Sequence, residues 1–259
     1  MTASAPTIVA TSGGYRPGTR TPLELDALVG HAVERAGVSG RRPRLAFLGT
    51  AGGDQQSRIA MMAEAARVAG YELTPLQLFT MPNVADVEAQ LLDADVVWVD
   101  GGSVANLLAV WRVHSLDEIF PRVWQAGVVL AGISAGSICW FTGGTTDSFG
   151  PRLRPVTDGL GLLPYGNGVH YDSEDGRRPL VRELVGPAPC RRPTAPMTAQ
   201  VWSSRGRSWP RWSPSGTGQL ATWCVGNRPA RSPRNAWTRG GCPSQPPRVV
   251  RVLRGTRSG

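Results

Sequence analysis

The stretch Val129-Leu-Ala-Gly-Ile-Ser-Ala-Gly-Ser-Ile-Cys-Trp140 decides the fold, because an apolar run leads directly into a serine between two glycines. Residues 128–133 have the continuous apolar character of a strand buried on both faces. Gly132-x-Ser134-x-Gly136 then matches the sharp strand-to-helix turn that presents a serine hydroxyl above a sheet. The string alone is a weak sign, since glycine and serine are common in turns.

The chain before this stretch repeats the same alternation of apolar strands and helices. The predicted strands are residues 6–14, 44–50, 71–79, 95–100 and 128–133, and the predicted helices are residues 23–36, 57–69, 84–92, 104–111 and 116–126. This alternation predicts an α/β fold with a mostly parallel sheet and helices on both faces. Ligands gather at the carboxyl ends of such strands, where Gly49-Thr50, Gly101-Gly102 and Ser134 all lie.

A serine nucleophile needs a base, and histidine is the usual one. The chain has three histidines. His31 and His114 fall in or at the end of predicted helices, which favours surface or packing roles. His170 follows Ser134 in a loop rich in glycine and polar residues, the kind of segment that presents catalytic groups. An exposed loop histidine is the alternative interpretation.

Several segments together resemble one known family. They are Gly132-Ile-Ser-Ala-Gly136, Asp100-Gly-Gly-Ser-Val-Ala-Asn-Leu-Leu108, Thr145-Thr-Asp147, Gly159-Leu-Gly-Leu-Leu163 and the His170 segment. In this order and spacing, from about residue 7 to about residue 185, the chain resembles the peptidase E (aspartyl dipeptidase) and cyanophycinase family. These are serine peptidases on a glutamine-amidotransferase-like fold. The implied function is a serine exopeptidase acting on small peptides, with a preference for N-terminal Asp suggested by the family name.

The resemblance implies roles for individual residues. Ser134 would be the nucleophile and His170 the general base, while the backbone N–H groups of Gly102 and Ala135 would form the oxyanion hole. Asp147 is the nearest match for the orienting acid. In peptidase E another acid lies downstream of the histidine and is the stronger candidate, but this chain has no acid after Glu183. Asp172, Glu174 and Asp175 are close to His170 in sequence, whereas a separate strand end is the expected source of the orienting group. For the carboxylate of a substrate, Arg58, Arg152 and Arg154 are open candidates.

The residue usage changes near residue 186, so we divide the chain into a catalytic domain, residues 1–185, and a tail, residues 186–259. Every Asp and Glu lies at or before Glu183, and the charged residues beyond it are all arginines, scattered among prolines and tryptophans. This explains the net charge of +9. We expect an aberrant, irregular and disordered tail, with residues 249–253 as its one credible packed element, and the final strands of the catalytic domain missing.

A shift of reading frame is our hypothesis for this change. Met197 is encoded by ATG and the codon of Thr198 begins AC, so reading from the last base of the Met197 codon gives GAC, an Asp codon. A Thr-Asp-Asp-Gly-like segment is available in that frame, about where an orienting acid is expected. A nucleic-acid-binding arm is the alternative, but dispersed arginines do not form the stripe it needs, and we expect no nucleic-acid partner.

Other function classes lose support from what the sequence lacks. The four cysteines have no C-x-x-C spacing, and Gly101-Gly102 lacks the spacing of a dinucleotide fingerprint, so we expect neither metal nor organic cofactor. Without a leader-like N-terminus or a long apolar run, a cytoplasmic protein with no membrane partner is expected. An α/β-hydrolase esterase shares the serine turn, but no histidine follows His170. A noncatalytic, amidotransferase-like protein also stays open.

Overall fold

The computed structural model describes residues 3, 5–171, 173–185, 199–202 and 251–253. Its strands are β1 (Ile8–Thr11), β2 (Tyr15–Pro17), β3 (Leu23–Leu25), β4 (Arg44–Leu48), β5 (Glu72–Leu76), β6 (Val96–Val99), β7 (Val129–Ile133), β8 (Phe141–Thr146), β9 (Arg154–Val156), β10 (Leu163–Asn167), β11 (Ala199–Trp202) and β12 (Arg251–Leu253). Its α-helices are α1 (Ala27–Ala36), α2 (Gln56–Ala69), α3 (Val87–Leu92), α4 (Val104–Val113), α5 (Leu116–Gln125), α6 (Ala135–Ile138) and α7 (Arg177–Val185), and a 3-10 turn spans Thr50–Gly52.

The main sheet has seven parallel strands in the order β12-β11-β1-β7-β6-β4-β5. Alternate side chains of the strands enter two apolar cores, one on each face. Val9, Phe47 and Trp98 pack with α1 and α2, whereas Leu48 and Val99 pack on the opposite face with α4 and α5. The predicted fold class, a mostly parallel sheet covered by helices on both faces, is confirmed.

Helix α1 begins later than the sequence pattern predicted. The predicted helix, residues 23–36, includes Leu23–Leu25, which instead forms β3 in an antiparallel hairpin with β2. The Asp26 side chain accepts a hydrogen bond from the Leu28 N–H, so it caps the helix and fixes the start at Ala27. No helix in the described part of the chain is both long enough and apolar enough to span a bilayer.

A second, three-stranded sheet in the order β10-β8-β9 follows the serine turn, and the sequence pattern did not predict it. Strand β8 contains Gly143 and Gly144, whose small size permits close strand contacts. A Cβ atom on Gly143 would lie 2.0 Å from the Val156 carbonyl oxygen, and one on Gly144 would lie 2.3 Å from the Asn167 carbonyl oxygen. Strand β10 runs parallel to β8 and leads the chain towards His170.

Two short strands lie within the predicted tail. Strand β11 pairs in parallel with β1, and β12 pairs in parallel with β11. Strand β12 lies inside residues 249–253, the stretch that the sequence singled out, whereas no strand was predicted at β11. The rest of the tail, from residue 186 onward, lies outside the described residues.

Candidate active site

Ser134 occupies a strained turn between β7 and α6. Its backbone angles, φ 55° and ψ −112°, lie outside the regions that residues with a side chain normally adopt. The Ser134 N–H donates to the Thr11 carbonyl at 3.0 Å, and the Ser134 carbonyl accepts from the N–H groups of Ser137 and Ile138 at 2.9 Å each. The first bond fixes the turn to strand β1, and the other two fix it to helix α6.

Both glycines of the Gly-x-Ser-x-Gly string are required by close backbone contacts. A Cβ atom on Gly132 would lie 2.2 Å from the Gly136 carbonyl oxygen. A Cβ atom on Gly136 would lie 2.3 Å from the Val99 carbonyl oxygen, in the neighbouring strand β6. The string therefore reflects the packing of α6 against β6 and β7 in this protein.

His170 lies against Ser134, with 2.9 Å between the His170 Nε2 and Ser134 Oγ atoms. The His170 N–H donates to Ser12 Oγ at 3.2 Å, which ties the histidine to the loop after β1. The other two histidines have different surroundings. His31 lies in α1 within 3.6 Å of Glu34, and His114 ends α4.

Burial is the main reason that the pKa of His170 is lowered from its ordinary value. The carboxylate of Glu174 opposes this shift, the guanidinium of Arg177 adds to it, and Asp147 opposes it more weakly than Glu174. The lowered pKa favours the neutral form of the imidazole. A neutral ring can accept the proton of the Ser134 hydroxyl.

The acids considered as partners of His170 differ in their surroundings. Glu174 pairs with the buried Arg177 at 2.7 Å, and Arg177 also donates to the Thr145 carbonyl in β8. Asp147 follows β8 and acts on His170 electrostatically. Among the described residues, no carboxylate is hydrogen-bonded to the second ring nitrogen of His170. Asp172 lies outside the described residues, and Asp175 is exposed.

The Gly101-Gly102 loop lies beside the serine. A Cβ atom on Gly101 would lie 3.4 Å from Ser134 Cβ. Gly102 has φ 139°, and a Cβ atom there would lie 2.3 Å from the Ala51 carbonyl oxygen, which accepts the Ser103 N–H at 2.9 Å. Ala135 opens α6, where the first N–H groups of a helix have no acceptor within it. The two N–H groups that were predicted to form an oxyanion hole thus belong to the loop after β6 and to the first residue of α6.

The sequence did not predict a polar network around Asp100, the residue that precedes this loop. The buried Asp100 carboxylate accepts from Arg58 at 2.7 and 3.1 Å and from the Tyr15 hydroxyl at 3.0 Å. Trp98 Nε1 donates to the same hydroxyl at 2.6 Å. Arg58, a candidate for binding a substrate carboxylate, is therefore already paired. The only sequence signal was an acid directly before two glycines at a strand end.

The other two arginine candidates lie around β9. Arg152 is exposed. The Arg154 guanidinium lies 5.3 Å from the centre of the Phe149 ring.

In the described part of the chain, no group of three His, Cys, Asp or Glu side chains is arranged to hold a metal ion. Cys139 is a free, buried thiol whose pKa is raised by burial. The remaining cysteines lie outside the described residues.

Comparison with known proteins shows similarity to peptidases. The profile of Peptidase family S51 matches residues 11–197. An uncharacterized peptidase, YgaJ, of Bacillus subtilis (strain 168) is 38% identical over 178 residues, which cover 69% of this chain and 74% of YgaJ.

Two solved structures show more distant similarity. One is of a protein from Listeria monocytogenes EGD-e provisionally named as a peptidase E, with a TM-score of 0.45 and 16% identity over 56% of this chain and 76% of that one. The other is of a peptidase from an acI-B1 actinobacterium, with a TM-score of 0.45 and 21% identity over 63% of this chain and 69% of that one.

Proposed function

The chain belongs to peptidase family S51, and from this premise we propose that it is a serine-type exopeptidase that hydrolyses small peptides through an acyl-enzyme on Ser134. The observation that carries the proposal is the 2.9 Å contact between Ser134 Oγ and His170 Nε2, at the end of β7. A nucleophile in hydrogen-bond reach of its base is the arrangement that acyl transfer needs.

In the proposed mechanism, His170 Nε2 takes the hydroxyl proton as Ser134 Oγ attacks the scissile carbonyl carbon. The carbonyl electrons move to the oxygen, which the N–H groups of Gly102 and Ala135 stabilise; one such donor contributes about 3 to 4 kcal/mol in a known serine protease. The intermediate collapses, the C–N bond breaks, and His170 returns the proton to the leaving amine. Water, activated by the same imidazole, then releases the acid.

The orienting acid in this proposal is Asp147, the residue that follows β8. Its electrostatic effect on His170 has the expected sign, since a carboxylate favours the imidazolium that forms during attack. The Glu174 carboxylate also raises the His170 pKa, and by more than Asp147 does, but Arg177 pairs with Glu174 and offsets its charge. Separate Asp147→Asn and Glu174→Gln variants distinguish the two, because removal of the orienting acid lowers turnover by about 10⁴ in the serine-protease template.

For the substrate, we propose dipeptides with N-terminal Asp. The family resemblance supports this preference. Hydrolysis of Asp-Leu, Asn-Leu and Leu-Leu is the direct test, and equal rates on all three would contradict the preference without touching the peptidase proposal.

Covalent labelling tests the nucleophile. A diphenyl phosphonate should modify Ser134, and Ser134→Ala should abolish the modification, as located by peptide mass spectrometry. His170→Ala should slow it by about 10²- to 10⁴-fold, the factor that a positioned general base typically contributes. A wild-type chain that neither reacts with the phosphonate nor hydrolyses any dipeptide contradicts the proposal.

A noncatalytic or inactivated family member is the second candidate, favoured by two observations. No described carboxylate is hydrogen-bonded to the second ring nitrogen of His170. The family match also ends at residue 197, within codons 183–200, the stretch in which the reading-frame hypothesis places the change. Resequencing the DNA across codons 183–200 and assaying a frame-corrected chain beside this one separates the candidates: activity only in the corrected chain identifies this one as inactivated.

A further inference from the structure

A second hydrogen bond joins the same two segments that carry Ser134 and His170. Asn167 Nδ2 donates to Ser137 Oγ at 2.8 Å. Ser137 lies in α6, three positions after Ser134, and Asn167 ends β10, three positions before His170. Both side chains are buried, with 0% of Ser137 and 2% of Asn167 exposed.

The two hydrogen bonds close a ring. It runs from Ser134 along α6 to Ser137, across to Asn167, along the chain to His170, and back to Ser134 through the 2.9 Å contact. Ser137 is fixed to the serine turn, because its N–H donates to the Ser134 carbonyl. Because the bond between Ser137 and Asn167 holds α6 and β10 together, it also limits how far the His170 imidazole can move from the Ser134 hydroxyl.

The backbone around Asn167 leaves little room for movement. Asn167 pairs in register with Gly144 of β8, and a Cβ atom on Gly144 would lie 2.3 Å from the Asn167 carbonyl oxygen and 3.1 Å from the Ile138 side chain of α6. Strand β10 is thus seated against both β8 and α6. The amide of Asn167 adds the polar contact that selects one position of β10 along α6.

We propose that Ser137 and Asn167 are positioning residues that hold His170 in register with Ser134. This inference rests on the proposed function, in which Ser134 and His170 act together. A buried amide that loses its acceptor keeps the cost of desolvation without the bond. In Ser137→Ala we therefore expect β10 to shift to a position where the Asn167 amide finds another acceptor. His170 should move with the strand.

The test follows the His170 ring directly, so it does not depend on peptidase activity. In wild type, NMR titration of the histidine Cε1–H signals, with His170 assigned by His170→Gln, should give a pKa below the ordinary value. Ser137→Ala and Asn167→Leu should each shift this pKa upward, because looser packing lets water reach the ring. The double variant should add little to either single one.

Thr142→Val is the matched control. Thr142 Oγ1 donates to the Tyr165 carbonyl at 2.8 Å, so this variant removes another hydrogen bond between β8 and β10, one that does not involve α6. It should lower the unfolding midpoint to a similar extent and leave the His170 titration unchanged. Phosphonate labelling should become slower in Ser137→Ala, by up to about a hundredfold if the ring is displaced by about 1 Å, and stay unchanged in Thr142→Val.

The outcomes separate the two proposals. An unchanged His170 titration in folded Ser137→Ala, or an equal shift in Thr142→Val, overturns the positioning role. If Ser137→Ala does not fold, Asn167→Leu decides the test by the same criterion, because it removes the same hydrogen bond from its other partner and adds no charge near His170. A shifted titration together with a wild-type chain that the phosphonate never labels supports the linkage and overturns the serine-peptidase proposal.

Discussion

The strain at Ser134 predicts an inverted order of stability between two variants. Ser134→Gly and Ser134→Ala both remove the hydroxyl and its contact with His170, so their difference isolates the backbone. A residue with a side chain in a sparsely populated region costs about 1 to 3 kcal/mol. Glycine avoids this cost but loses about 0.5 to 1 kcal/mol in conformational entropy on folding. Ser134→Gly should therefore be the more stable variant by about 1 kcal/mol, near the middle of the range of about 0 to 2.5 kcal/mol that these two costs allow.

Equilibrium unfolding in urea measures this difference, provided that both variants have the same dependence of free energy on denaturant. Ala109 supplies the control, since it is exposed in α4 and has no reason for strain. Ala109→Gly should lose about 1 kcal/mol, the opposite order from position 134. If Ser134→Ala equals or exceeds Ser134→Gly in stability, the serine turn is not strained and the reasoning fails.

Further predictions concern His170 and the serine turn. Phosphonate labelling should reach half its maximal rate below pH 6.5, since the pKa of His170 is lowered from an ordinary value of about 6.5 and the neutral ring is the reactive form; a midpoint above pH 6.5 would contradict the burial argument. Protonation of a ring with a lowered pKa favours the unfolded state, so wild type should lose more stability than His170→Gln as the pH falls from 7 to 5, measured by urea unfolding. Glu174→Gln should lower the labelling midpoint further, because this carboxylate raises the pKa. Gly136→Ala should destabilise by about 3 kcal/mol or more, since its Cβ would lie 2.3 Å from the Val99 carbonyl oxygen and backbone atoms cannot rotate away; a melting temperature equal to wild type would show that α6 shifts freely.

The parallel sheet could be predicted because buried strands leave a simple signal. Val96–Val99 and Val129–Ile133 are apolar throughout, and the structure places their bounds within one residue of the prediction. The strand Leu23–Leu25 could not be distinguished from a helix start, because Leu25 also fits helical spacing with Leu28. Strand β8, Phe-Thr-Gly-Gly-Thr-Thr, has glycines that usually weaken a strand. Only the contacts with β9 and β10 show why glycine is needed there.

At the site, the contact between Ser134 and His170 joins residues that motif and loop composition had singled out, and their catalytic roles stay predictions. The network of Asp100 with Tyr15 and Arg58 could not be found, because its members are 42 and 85 positions from Asp100 and share no motif. The bond between Ser137 and Asn167 also depends on a sheet that the sequence did not reveal. Long-range polar partners need the folded backbone before they can be recognised.

Strand β1 has a consequence for how the protein is synthesised. Its residues leave the ribosome early, yet Thr11 hydrogen-bonds Gly132, 121 positions later, and the neighbour on its other side, β11, emerges later still. Through most of translation the nascent chain therefore carries an apolar strand with two open edges. Such edges pair with other chains, and folds built from distant contacts form slowly. We expect the growing polypeptide, more than the finished protein, to need protection by chaperones.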